Sequence, residues 1–160
     1  MSKLMLFTLS LVMPLTLVSC SKTDVSLPEP APAIEGIYKA TTFFSSDTLS
    51  YPIQGQTMTL KLTSVSRDSV RVEIEAAPNG SYSPGGNRTY EKLVVYQGAD
   101  AKIVNKQSQS CISYQVRLTR TPTVTRDEAL TMRCGSSGAI DYSFTSPTNQ
   151  TPVVVRFVKM

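Results

Sequence analysis

Three thiols and one close pair of carboxylates are the side chains of this 160-residue sequence whose types and spacing point to chemistry. Cys20 ends the first apolar run, and Cys111 and Cys134 are the only other cysteines. Glu73 and Glu75 stand two positions apart, beside Arg71. Paired carboxylates can cleave glycosidic bonds. On an alternating strand, however, residues two apart share one face, and such charges are ordinarily the solvated one. The chain has no histidine. That removes Ser-His-Asp and Cys-His nucleophilic sites, imidazole-ligated metals and the usual general base near neutral pH. The expectation is a protein without catalytic residues, metal or cofactor.

Cys20 takes its meaning from what precedes it. Met1-Ser2-Lys3 carries one positive charge, and residues 4–18 are apolar except for Thr8, Ser10, Pro14 and Thr16. A cationic start before an apolar run too short to span a bilayer reads as a signal peptide. The segment Leu17-Val18-Ser19-Cys20 resembles the lipobox of bacterial lipoproteins. The resemblance implies cleavage after residue 19, a diacylglycerol on the Cys20 sulfur and an acylated new amine, a palmitate-type anchor. Each buried methylene contributes ~0.8 kcal/mol, so three acyl chains hold a protein stably to a membrane. Ser21, where an aspartate would retain such a protein at the inner membrane, implies the outer membrane, with the periplasmic or surface face left open. Lys22 and Asp24 resemble the Lys-acid export signal of some Bacteroidetes lipoproteins. Asp47-Thr48-Leu49 and Asp68-Ser69-Val70 resemble the O-glycosylation sites of exported proteins in that phylum.

Loss of residues 1–19 leaves 160 − 19 = 141 residues, the length of one domain. Only Lys3 among the charged residues goes with them, leaving 15 bases against 12 acids, a net of +3. The bases are scattered, and a nucleic-acid partner would need them clustered. Residues 20–33 read as the lipidated cysteine and an extended tether, because "SKTDVSLPEPAP" (21–32) is polar and holds three prolines.

From residue 34 to 160 the pattern has period two, and this positions everything else. Met58, Leu60 and Leu62 alternate with polar residues, as do Val70, Val72, Ile74 and Ala76. "SRDS" between them predicts a hairpin. Ile112, Tyr114, Val116 and Leu118 form a third apolar face, Ile140, Tyr142 and Phe144 a fourth, and "PVVVRFVK" is a final β-branched strand. Further strands fit at about 35–44, 89–97, 101–106 and 128–134. About nine strands and no convincing long helix predict an all-β domain: a single antiparallel meander closing into a small barrel of about eight or nine strands, or else a β-sandwich.

Glu35-Gly36-Ile37-Tyr38 resembles the Gly-x-Trp opening of lipocalin-like barrels, with tyrosine in the tryptophan place. The resemblance implies a basic side chain from the last strand stacked on that ring, and Arg156 is its candidate. Because tyrosine offers apolar faces with a polar tip, Tyr38, Tyr114, Tyr142, Phe144 and Phe157 are candidates to line a barrel cavity, and the expectation is a binding module holding a small apolar or amphipathic ligand there. The alternative is a filled core, with Met58, Leu60, Leu62, Val72, Ile74, Val116 and Val155 interdigitated among Tyr114, Tyr142, Phe144 and Phe157. Such a protein would bind an envelope protein or glycan through its outer surface. The loop "APNGSYSPGGN" (77–87) is long enough for a lid, although a mobile surface loop is the simpler expectation.

Cys111 and Cys134, an even pair in an exported chain, predict a disulfide. The register resists perfect facing, because matched apolar faces put Ile112 opposite Cys134. A bulge, or a Cys111 just outside its strand, would reconcile the two.

Overall fold

The structure, a computed structural model, describes residues 27–78, 82–104, 107–118, 128–148 and 150–160, and side chains within these except at 100–110. The expected signal peptide (1–19), Cys20 and the "RTPTVTR" connection (120–126) lie outside the described residues.

The elements run α1 (Pro30–Ile34), β1 (Gly36–Phe44), β2 (Thr48–Ser50), β3 (Met58–Ser66), β4 (Ser69–Ala76), β5 (Arg88–Val104), β6 (Gln107–Arg117), β7 (Ala129–Met132), β8 (Ile140–Thr145) and β9 (Pro152–Lys159). Each strand pairs antiparallel with its sequence neighbour from β3 to β9, and β9 returns to pair with β1. That last pairing closes eight strands into a barrel and excludes an open sandwich. β2 is the extra strand, laid beside the end of β1 at Thr42–Phe44.

Alternation decides the inside. Met58, Leu60 and Leu62 of β3 pair with Ala76, Ile74 and Val72 of β4 and turn inward with them. Lys61 of β3, Arg71 and Glu73 of β4, Lys39 of β1 and Asp141 of β8 face outward. Apolar inside and charged outside is the reverse of a membrane-spanning barrel, which needs an apolar outer band.

Two bulges keep the alternation in phase. In β1 the register against β9 slips between Ala40 and Thr42, so Tyr38, Ala40 and Phe43 all face the core. In β5, Lys92 takes φ 52° and the register against β4 slips between Val70 and Val72. Tyr90, Leu93 and Val95 thereby point the same way across the extra residue. β5 also runs unbroken through Gly98, where two strands, 89–97 and 101–106, were expected. Its last residues, Gly98–Val104, pair only with β6, because the ladder with β4 ends at Val94 and that with β7 begins at Tyr114. The two strands therefore project beyond the barrel as an arm.

The expected tether ends sooner than residue 33. Pro30–Ile34 is a helical turn with Ala31 and Ile34 fully buried. It seats on the turn between β3 and β4 through the Ala31 amide, which donates to the Arg67 carbonyl at 3.1 Å. A proline at the first helical positions is compatible with this, since the missing amide has no helical partner there. The helix plugs the barrel end from which the arm projects.

Cys111 and Cys134 are joined, with Cα atoms 5.8 Å apart. The register of β6 against β7 pairs Tyr114 with Met132 and Val116 with Leu130. It is the register of the matched apolar faces. The cysteine outside its strand is Cys134, in the turn after β7, whereas Cys111 sits within β6. Freed from the ladder, Cys134 reaches its partner without a bulge. Closing a loop of this length contributes about 3 kcal/mol.

Candidate functional site

The barrel has two ends, and they are built from different chemistry. At the α1 end, Tyr38 is buried and its hydroxyl donates to the Ile34 carbonyl at 2.7 Å. Burial pushes its ionisation from 10.0 up to about 12. Lys159, the last residue of β9, lies over the Tyr38 ring at 6.0 Å and donates to the Glu35 carbonyl at 2.7 Å. A Cβ on Gly36 would stand 2.5 Å from Lys159 Cε, and the Gly36 φ is +151°, so the glycine makes room for that lysine.

Lys159 thus takes the place expected of Arg156. The reason is parity. Val153, Val155 and Phe157 point inward, so Arg156 points outward, on the opposite side of the sheet from Tyr38. There it lies over the Phe44 ring at 5.3 Å and makes a bidentate pair with Asp141 at 2.8 and 2.9 Å. The Asp141 carboxylate raises the ionisation of Arg156.

Tyr38, Tyr114, Tyr142, Phe144 and Phe157 all lie within one buried cluster. Tyr142 and Phe144 stack at 4.8 Å. Three grooves among the described residues lie elsewhere. One of about 420 Å³ runs along Leu27, Gln97, Gly98, Ala99, Cys111 and Ile112 at the base of the arm. Another lies on the outer face beside Glu73 and Glu75. A third, of about 220 Å³, opens on the rim opposite α1. None of these is lined by the five ring residues.

That opposite end, the mouth, is held by charge. Arg88 Nη1 donates to both carboxylate oxygens of Glu128 at 2.7 and 2.6 Å, and Nη2 donates to the Pro84 carbonyl. The hydroxyls of Tyr90 and Tyr142 donate to Glu128 Oε2 at 3.3 and 3.2 Å. Burial, the largest single influence, works against the Arg88 charge. The hydrogen bond that Arg88 donates to Glu128, together with the influence of Tyr142, Tyr90 and the Glu128 charge, overcomes it and raises the guanidinium further. Burial, then the Glu128 charge, pushes the Tyr142 hydroxyl well above the usual phenol range. The network ties the start of β5 to the start of β7. Both charges are satisfied within it, which makes it a clasp rather than a reactive centre.

Beside the clasp, the loop 77–87 is packed in its described part, contrary to the expectation of a mobile segment. Ser83 is buried and donates to the Ala77 carbonyl at 2.7 Å, and Tyr82 meets Phe43 edge to face at 5.3 Å. The Tyr51 hydroxyl donates to the Tyr82 carbonyl at 2.5 Å. Asn87 closes the loop, its Oδ1 accepting from the Ala76 amide at 3.0 Å.

Glu73 and Glu75 are both engaged by neighbours on the outer face. Glu73 bonds Lys61 at 3.1 Å and Arg71 at 3.2 Å, and Glu75 accepts from the Thr59 hydroxyl at 3.1 Å. Of the two Asp-Ser/Thr patterns, Thr48 is exposed on β2, whereas Ser69 is buried and donates to Asp68 at 3.1 Å. Sequence reasoning did not single out Arg88 and Glu128 as a pair. They lie 40 positions apart, and only the β5–β6–β7 meander brings them together.

No family model, curated protein or solved structure matches this chain.

Proposed function

We propose that this chain is a lipid-anchored envelope protein without enzymatic activity, whose barrel is filled and which binds its partner through its outer surface. The observation that carries the reading is the packed interior: Tyr38, Tyr142 and Phe157 lie in the core at 1%, 0% and 0% exposure. The rings expected to line a ligand cavity are spent on one another. The anchor reading rests on Leu17-Val18-Ser19-Cys20. The outward charges support it, since a barrel so clothed needs a separate device to stay at a membrane.

The described chain begins at Leu27, seven residues after Cys20, at the end that α1 plugs. Seven residues reach about 25 Å at most. In this reading the plugged end and the arm face the membrane, and the mouth faces away from it.

The test has two arms. Cys20→Ala should abolish metabolic palmitate labelling and leave unprocessed or soluble protein; unchanged labelling and membrane fractionation refutes the anchor. Native mass spectrometry of the gently purified protein should show no bound small molecule within the barrel. A stoichiometric co-purifying lipid lost on Tyr114→Trp substitution refutes the filled core and restores the cavity reading.

A further inference from the structure

Large apolar side chains left in solvent are ordinary when scattered and informative when they gather. In this barrel they gather. Seven are exposed among the described residues, and every one lies at the plugged end. Ile37 is the second residue of β1, and Met160, which follows β9, donates its amide to the Ile37 carbonyl at 2.9 Å. Val158 stands beside them, paired with Lys39. Val65 precedes the turn on which α1 seats, and Val94 pairs with Ser69 at the start of β4. Tyr96 lies two residues on, where the arm leaves the barrel, and Leu27 lines the groove of about 420 Å³ at its base. The strands β9, β1, β3, β4 and β5 are successive neighbours around the barrel, so these side chains form a collar. Their exposure runs from 42% at Val158 to 72% at Met160. At the mouth, Leu49 and Tyr82 are half-buried.

Two observations choose what covers the collar. The described chain starts within it, at Leu27, and Cys20 stands seven residues earlier, so the cysteine lies within about 25 Å of this end. The exposed charges here are of both signs: Arg67 and Lys159 lie among Glu29 and Glu35, and Arg67 pairs with Glu29 at 2.8 Å. Such a surface does not select an anionic or a cationic partner. Aliphatic side chains with a tyrosine among them fit the edge of a bilayer, where the phenol ring reaches the acyl boundary and its hydroxyl stays with the headgroups. A collar at one end suits shallow contact with one leaflet, whereas a span needs an apolar band about 25 Å tall.

We infer that this collar is a lipid-contacting surface, which dips about 5–10 Å into the headgroup boundary and fixes the orientation of the domain on the membrane. The inference rests on the anchor reading above, and the two fail separately. Unchanged labelling of Cys20→Ala overturns the anchor alone. A labelled, vesicle-bound protein whose collar stays in water overturns the collar alone.

The chain has no tryptophan, so a single introduced one reports on its own surroundings. Tyr96→Trp and Val158→Trp place it in the collar, and Thr48→Trp places it on an exposed residue at the mouth. Each processed variant is reconstituted into phosphatidylcholine vesicles, with and without bromine on the acyl chains, which quenches a tryptophan that meets it. Both collar variants should emit at shorter wavelength and lose emission in the brominated lipid, while Thr48→Trp keeps its emission. Val65→Glu with Val158→Glu, added to Tyr96→Trp, puts charge on two exposed positions of the collar. This variant should keep its melting temperature and recover the lost emission. Equal loss at collar and mouth, no loss at the collar, or a loss that persists in the charged variant overturns the inference. A shift to shorter wavelength that grows with protein concentration and ignores bromine marks a second copy on the collar, and overturns it as well.

Discussion

The two ends of this barrel solve the same problem with opposite materials. At one end a helical turn inserts Ala31 and Ile34 beneath Tyr38, and a disulfide pins the adjacent turn to β6. At the other end Arg88 and Glu128 meet across the opening, with two tyrosine hydroxyls and the Pro84 carbonyl completing their bonds. An apolar plug excludes water and contributes stability in proportion to the area it buries. A charged clasp must first recover the desolvation of its own members, so it adds little net stability but tolerates only one arrangement. The difference teaches where this protein can afford an interface. Inside, the plugged end is committed to the core, whereas the mouth leaves Leu49 and Tyr82 half-buried at its rim.

A charge placed at each end tests that contrast most severely. Ile34→Asp buries a carboxylate with no partner inside the apolar plug, and should cost about 4 kcal/mol or more in urea unfolding. Leu49→Asp, on the half-buried rim, should cost only about 1 kcal/mol. Equal losses at the two positions would erase the distinction. The clasp gives the next effect. Glu128→Ala leaves the Arg88 guanidinium partly buried without its carboxylate, and should cost about 2–3 kcal/mol. Replacing both, as Arg88→Met with Glu128→Leu, should recover most of that loss. If the double variant is as unstable as the single one, the clasp contributes net stability and the comparison fails.

The barrel was legible wherever alternation is clean. Leu60, Val72, Val116, Tyr142 and Val155 each sit between polar neighbours or in β-branched runs, and all are inward. The reading faltered where bulges interrupt the period. Tyr90, Leu93 and Val95 share a face only because Lys92 adds one residue between them, and no residue type announces that addition. The three-residue β2 and the five-residue α1 are too short to show periodicity. The proline pair around Ala31 reads equally as tether and as first helical turn.

At the candidate sites the same division holds. The disulfide was legible in the even pair of cysteines, and the inward direction of the five ring residues follows from parity. Parity also contained the correction at the last strand: Arg156 lies between inward Val155 and Phe157, while Lys159 shares their phase. The Arg88–Glu128 clasp and the rim groove were beyond reach because each joins strand ends to connections at one end of the barrel. Connections carry no period, and their side chains meet only after the strands have set the distance between them.

The smallest effect belongs to a single hydroxyl at the plugged end. Tyr38→Phe removes the bond to the Ile34 carbonyl, leaving that carbonyl unpaired, and should cost about 1 kcal/mol near neutral pH. The same hydroxyl also gives the plug a pH dependence. Folding raises its ionisation from 10.0 to about 12, because burial disfavours the phenolate. The unfolded chain therefore releases this proton at a lower pH than the folded one. The contribution is complete below pH 10.0 and is lost as the pH rises through about 12, so stability falls across that window. Tyr38→Phe should flatten part of the fall, since phenylalanine has no proton to lose, while the other buried tyrosines keep the remainder. Chemical unfolding of wild type and variant at pH 8, 10 and 12 reads both quantities. The two curves should converge on going from pH 10 to 12. A difference that stays constant would show that the Tyr38 hydroxyl does not titrate between folded and unfolded states, and the plug would then be no drier at this point than the rim.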